Sequence, residues 1–174
     1  MRPSRASLQS LCLQCGLCCN GGLFRDVEIQ PADDVARLKA LGLPLKTARG
    51  KTRLPQPCAA LDGCRCCVYA ARPGRCREFD CAVLKAVHGE NFSVETAARV
   101  IRQTLRLLGK VEKCLRRLGE DDAQAPVQLR FRRVVRRLEA GGTDAESAEW
   151  FGRLTLAWHQ LSIRLHERFL SGSW

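Results

Sequence analysis

The sequence predicts a mainly α protein: a small, irregular, cysteine-rich first half followed by an antiparallel helical bundle. Three observations carry this expectation. Ten of the eleven cysteines lie between Cys12 and Cys81. In that same stretch apolar residues are sparse, while glycine, proline and arginine are frequent. From Ser93 onward the pattern changes, with Val94, Ile101, Leu108 and Leu115 recurring every seven residues. A chain of 174 residues supports one compact domain or two small ones. The expected divisions are a disordered N-terminus over 1–11, a cysteine-cluster region over 12–90 and a helical region over 91–174.

The opening Met1 to Ser10 carries Arg2 and Arg5 but runs into cysteines and Gln14 instead of an apolar stretch, so it makes a poor secretory signal and the chain reads as cytoplasmic. No apolar run approaches the roughly 18 residues of a membrane span. Alternation around Val27, Glu28 and Ile29 predicts a short strand within Leu23 to Ile29. A helix is expected from Pro31, with Asp33 and Asp34 in its first turn, Val35, Leu38 and Leu41 on one face, and Gly42 as its end. Leu43 to Pro57 holds three prolines, Gly50 and several basic residues, the pattern of a loop or ragged hairpin outside the core.

Ser93 to Leu118 predicts a helix about 39 Å long whose stripe also includes Ala98 and Leu105. Val127, Phe131, Val134 and Leu138 mark a second helix, opened by Pro126 and closed by Gly141 and Gly142. Thr143 with Glu146 suggests a capping box for a third, whose face carries Trp150, Leu154, Trp158, Leu161, Leu165 and Phe169. Three amphipathic helices with short linkers pack most economically as an antiparallel bundle.

The first half is the opposite case. So few apolar residues cannot offset a backbone entropy cost of about 1 to 2 kcal/mol per residue, so another agent must hold it. In a reducing compartment clustered thiols point to metal, and an odd count fits a disulfide framework badly. A structural metal contributes on the order of 10 to 16 kcal/mol in small zinc peptides, which makes this half metal-bound in our reading. Cys12, Cys15, Cys18 and Cys19 form C-x-x-C-G-x-C-C, whose two-residue gaps let successive thiolates turn inward. Adjacent Cys18 and Cys19 are poorly placed to face one centre, which suggests a loop feeding two sites. The second group is Cys58, Cys64, Cys66, Cys67, Cys76 and Cys81, interleaved with Arg65, Arg72, Arg75 and Arg77, whose guanidiniums can donate to sulfur.

With C-x-Y-x-x-R-P-x-x-C-R-x-F-x-C over Cys67, Tyr69, Arg72, Pro73, Cys76, Arg77, Phe79 and Cys81, the pattern resembles the CxxCxxCC, or YkgJ-like, cysteine-cluster family of zinc- or iron-chelating domains. The resemblance covers about residues 12–90. It implies eight metal ligands, Cys12, Cys15, Cys18, Cys19, Cys58, Cys67, Cys76 and Cys81, with Arg72 and Arg77 at the bound group. Cys64 and Cys66 exceed the eight-cysteine pattern and leave the choice among Cys64, Cys66 and Cys67 open. All-thiolate sites suit zinc or iron; three closely spaced ligands with a remote fourth favour iron, including a 4Fe-4S cluster, over paired zinc knuckles. The motif is also similar to a segment of flagellin lysine N-methylases, which implies protein-lysine methyl transfer with S-adenosylmethionine as the alternative. A non-catalytic metal-binding role ranks ahead of it, because no S-adenosylmethionine site is recognisable.

Cys114 reads as a packing residue, and His88 as a helix-end residue. Arg130, Arg132, Arg133, Arg136 and Arg137 crowd one short helix without interleaved aromatics, which favours a solvated face or an acidic protein partner of the basic helical half over nucleic acid.

Overall fold

The computed structural model describes residues 5–141 and 144–171. Helix α1 (Arg5–Cys15) occupies much of the segment expected to be disordered. Its Leu11 is 1% exposed and packs into the core shared with the later helices, which gives this stretch the apolar cover that its composition concealed. Gly16, at φ +63°, ends α1 in the left-handed region, and its N–H donates to Cys12 O at 3.2 Å. Cys19 and Asn20 then both donate to Gly16 O at 2.9 Å, folding the four-cysteine motif into a tight turn.

Strand β1 (Asp26–Glu28) falls inside the expected strand region. The expected helix at Pro31 starts later, as α2 (Val35–Ala40). Pro31 to Asp33 form a turn instead, because the Asp33 carboxylate accepts from Gln30 N at 2.8 Å and from Gly74 N at 2.7 Å. Asp34 is the N-cap, accepting from Arg37 N at 2.9 Å. Strands β2 (Lys46–Ala48) and β3 (Lys51–Pro55) form a hairpin across Arg49 and Gly50, both at positive φ. The sheet order is β1-β3-β2, all antiparallel, with Val27 opposite Leu54 and Thr47 opposite Thr52. The hairpin is not merely peripheral. Leu43 and Leu54 are buried with Ile29, Leu38 and Ala60 in a small core of their own, which alternation around a single inward Leu54 could not reveal.

Strands β4 (Leu61–Asp62) and β5 (Arg65–Cys66) pair as a second hairpin, followed by a 3₁₀ turn at Tyr69–Ala71 and helices α3 (Gly74–Glu78) and α4 (Ala82–His88). Helix α5 (Val94–Arg117) is capped by Ser93, whose hydroxyl accepts from Thr96 N at 3.1 Å. Helices α6 (Val127–Ala140) and α7 (Ala145–Leu165) follow, the latter prolonged by a π-helical segment at His166–Leu170. The N-cap of α7 is Asp144, accepting from Ser147 N at 2.8 Å. Thr143, expected to form the capping box, lies outside the described residues, as do Gly142 and Arg2.

The pairing of α5 and α7 is antiparallel. Arg164 donates to Gln103 at 3.0 Å, the Arg153 charge reaches Cys114, and Arg117 lies over Trp150, so the α5 number rises as its α7 partner's falls. Helix α6 leans on this pair, with Phe131 stacked on Trp158 at 4.5 Å and 12°. Of its crowded arginines only Arg130 is buried, but three are engaged at the end of α5. Arg130 is 5% exposed and donates to Glu120 O at 2.9 Å, Arg137 donates to Leu118 O, and Arg133 reaches Asp122 at 2.7 Å. Three of the five thus neutralise the unsatisfied carbonyls and acidic exit of α5, the negative end of its dipole, and do not form the fully solvated face expected of them. Cys114 is buried in the main core as expected.

That core crosses the boundary expected at residue 90. Leu11, Leu17, Leu23, Val83, Leu84 and Val87 pack with Ile101, Leu108, Leu115, Leu154, Leu161 and Phe169. The two regions are also stitched by hydrogen bonds, from Val127 N to Gly21 O at 3.2 Å and from Gln128 Nε2 to Gly22 O at 3.0 Å. Gly21 sits at φ +77°, and a Cβ there would lie 3.0 Å from Pro126 Cα. Gly21→Ala is therefore expected to cost on the order of 1 to 3 kcal/mol, read as a lowered midpoint in thermal unfolding followed by circular dichroism.

Candidate metal centre

Nine of the cysteines line one cavity of about 800 Å³: Cys12, Cys15, Cys18, Cys19, Cys58, Cys64, Cys66, Cys76 and Cys81. Cys12 and Cys15 are three apart on α1 and so share a helix face. The Gly16 turn then presents Cys18 and Cys19. A Cβ at Gly16 would stand 3.1 Å from Cys64 Sγ, a tight contact at a backbone φ of +63° that already disfavours a side chain. Cys58 N donates to Cys19 O at 2.7 Å, which lashes the segment after β3 to this turn. The β4–β5 hairpin contributes Cys64 at its turn and Cys66 on β5, α3 contributes Cys76, and Cys81 is the N-cap of α4.

Mutual electrostatic influence sorts the thiols into two groups. Cys15 is affected by Cys81, Cys12 and Cys64, and Cys18 by Cys81, Cys15 and Cys12 as well as its neighbour Cys19. Cys19 is affected by Cys58, Cys76 and Cys66, and Cys76 by Cys58 and Cys66. Cys12, Cys15, Cys18 and Cys81, with Cys64 beside Cys15, thus form one group; Cys19, Cys58, Cys66 and Cys76 form the other. The adjacent Cys18 and Cys19 have their other near neighbours in different groups, while also acting on each other.

Burial dominates the acid–base character of these thiols. It pushes Cys15 and Cys19 up to about 12, Cys76 and Cys81 up to about 11, and Cys18 well above the ordinary thiol value of 9.0, with neighbouring thiols adding to the effect. Opposing it, backbone N–H groups donate to three of the sulfurs: Leu17 to Cys15, Ala60 to Cys58, and Val83 and Leu84 to Cys81. Donors aimed at sulfur favour the thiolate. Arg72 favours it too, at Cys19 and Cys76 in one group and at Cys12 in the other. Its guanidinium lies 3.7 Å over the Tyr69 ring, and its Nε donates to Tyr69 O at 3.1 Å, which fixes it between the groups. Asp80 acts in the opposite sense on Cys12 and Cys81.

Seven of the eight expected ligands and Arg72 therefore meet at the cavity. Cys67 does not: it is exposed and does not line the cavity, while its N–H donates to Ala60 O at 2.8 Å. Cys66 takes the inward place. Cys64 stands in the turn and β5 is only two residues long, so no strand alternation in the sequence could choose between Cys66 and Cys67. Arg77 is exposed and does not line the cavity; Arg75, two residues earlier and so on the other side of α3, does. His88 ends α4, as its sequence position suggested. As the side chains stand, no three described His, Cys, Asp or Glu residues converge closely enough to hold one ion; the thiols surround the cavity without closing on a point.

A model of the CxxCxxCC family, described as a "putative zinc- or iron-chelating domain", matches residues 11–100, just over half of the chain. No curated protein and no solved structure matches.

Two outcomes follow for the metal-free, reduced protein. Timed alkylation mapped by mass spectrometry should modify Cys67 and Cys12 first, and Cys15, Cys18 and Cys81 last. Stability should be unaffected by these thiols below pH 9 and fall as pH rises through 11 to 12. The unfolded thiols ionise near 9.0 while the folded ones resist ionisation, so high pH favours the unfolded chain; denaturant midpoints across that range check it.

Proposed function

The chain belongs to the CxxCxxCC family, and on that premise we propose that it is a non-catalytic protein binding zinc or iron at two thiolate centres within the cysteine cavity. The observation that carries this reading is the gathering of nine cysteines, adjacent Cys18 and Cys19 among them, around one cavity.

The residues present suit such ions chemically. The donor set is all sulfur, which zinc and iron both accept in tetrahedral sites, and backbone N–H groups already aim at Cys15, Cys58 and Cys81. Cys12, Cys15, Cys18 and Cys81 would hold one centre; Cys19, Cys58, Cys66 and Cys76 would hold the other. The thiols of each group would have to reorient to close on a bound ion. Arg72 lies between them and offsets the negative charge that ionised thiols bring. A bound ion supplies cross-links between segments distant in sequence, joining α1 to α4 at the first centre and the Gly16 turn to the β4–β5 hairpin and α3 at the second. An iron centre, including a 4Fe-4S cluster at the first group, remains our preference over zinc on the spacing of Cys12, Cys15 and Cys18.

Binding must displace protons from thiols that burial keeps neutral at pH 7, so affinity rises with pH and metal is released on acidification. Competition with a chelator between pH 6 and 8 is expected to show this dependence.

Elemental analysis of anaerobically isolated protein tests the ligand assignment. Cys15→Ser and Cys76→Ser should each remove about half of the bound metal. Cys66→Ser should do the same, while Cys67→Ser keeps the full complement. Loss in Cys67→Ser with retention in Cys66→Ser would reverse the assignment, and metal-free wild-type protein would end the reading. A broad absorption band near 400 nm would mark an iron–sulfur cluster. Arg72→Ala should lower affinity by roughly 10- to 100-fold without abolishing binding.

A further inference from the structure

The outer face of α5 carries a charge pattern that neither the thiol cavity nor the bundle uses. Arg99, Arg102, Arg106, Lys110, Lys113 and Arg117 are all exposed. At 3.6 residues per turn they fall within an arc of about 80°, along a line of about 27 Å. The opposite side of the helix is the buried one, formed by Ala97, Ile101, Thr104, Leu108, Val111 and Leu115. Arg99, Arg102, Arg106, Lys110 and Lys113 form no ion pair with any described residue. Among the described residues Arg117 contacts the Trp150 ring, at 5.4 Å. The two acids of α5 do not interrupt the line: Glu95 precedes it in the first turn, and Glu112 is half-buried on its flank. Arg164, from α7, adds a further cation beside it through its hydrogen bond to Gln103.

This set differs from the arginines of α6, which are largely spent on the end of α5. Six like charges in a row repel one another, and nothing in the bundle requires them there; an extended polyanion relieves that repulsion. Three partners have the necessary charge. An anionic membrane would need apolar side chains to insert beside the cations, yet among the described residues the large exposed apolar ones, Leu13, Leu41, Tyr69, Leu129, Leu156 and Ile163, all lie outside α5. An acidic protein would need a central aromatic or apolar anchor, and the line has none. A single strand would need open rings for its bases to stack on, whereas Trp150 is flanked by the guanidiniums of Arg117 and Arg153. A straight, uniformly cationic ridge fits a straight, uniformly anionic rod. We propose that the outer face of α5 binds double-stranded DNA through its phosphate backbone, without reading base sequence.

Binding of the full-length protein to a 20-base-pair duplex of arbitrary sequence, measured by fluorescence anisotropy between 50 and 200 mM salt, tests this. Six phosphate contacts predict a slope of log K against log salt of about −5. Arg102→Gln with Arg106→Gln should reduce that slope by about two and weaken binding at least tenfold at 50 mM salt, with an unchanged circular dichroism spectrum, whereas Arg132→Gln with Arg136→Gln on α6 should leave it unaltered. No binding at 50 mM salt would overturn the proposal, as would equal losses from the two double variants, which would show diffuse charge and no defined ridge. Tighter binding to phosphatidylserine vesicles, or at least tenfold preference for duplex RNA or a single strand of equal length, would overturn the assignment to DNA.

Discussion

Leu11 and Leu17, 1% and 0% exposed, pin both sides of the left-handed turn at Gly16 into the core that α5 and α7 build, and the thiol cavity depends on that anchorage. Cys15 and Cys81 are themselves members of the core. The turn therefore cannot swing away from the bundle without exposing large apolar side chains, each worth about 1.5 to 3 kcal/mol when buried. Because the turn is held, it keeps both Cys18 and Cys19 at the cavity wall. Cys58 is fastened to the same turn through Cys19 O.

The same burial explains the electrostatic character of the cavity. Sulfur removed from water resists ionisation, and neighbouring thiols add to that resistance. Three features work against it: backbone N–H groups at Cys15, Cys58 and Cys81, the guanidinium of Arg72, and the capacity of the thiols to share charge with a cation. A cavity with this balance stays neutral when empty of cations and gains most from one that replaces several protons together. Arg72 is suited to the position because its contact with Tyr69 restrains a side chain that would otherwise lose much rotamer freedom on being fixed.

Basic residues divide between two tasks according to what faces them. Arg130, Arg133 and Arg137 meet the C-terminal end of α5, where unsatisfied carbonyls and the acids Glu120 and Asp122 concentrate negative charge. The cations on the outer face of α5 meet solvent. Composition alone, at a formal net charge of +11, cannot distinguish these cases, since one helix's polar side becomes another's cap only when the two are packed.

Local pattern determined the elements whose cause is local. The long amphipathic stripe of α5, the Pro126 start of α6 and the turn at Gly16 all follow from neighbours within a few residues. Tertiary structure alone decided that Leu11 and Leu17 complete the core of the helical region, that Asp33 delays α2 in order to hold Gly74, and that Cys66 faces the cavity while Cys67 faces solvent. Each depends on contact between segments far apart in the chain. A short, sparsely apolar stretch has no internal periodicity strong enough to announce which distant surface will cover it.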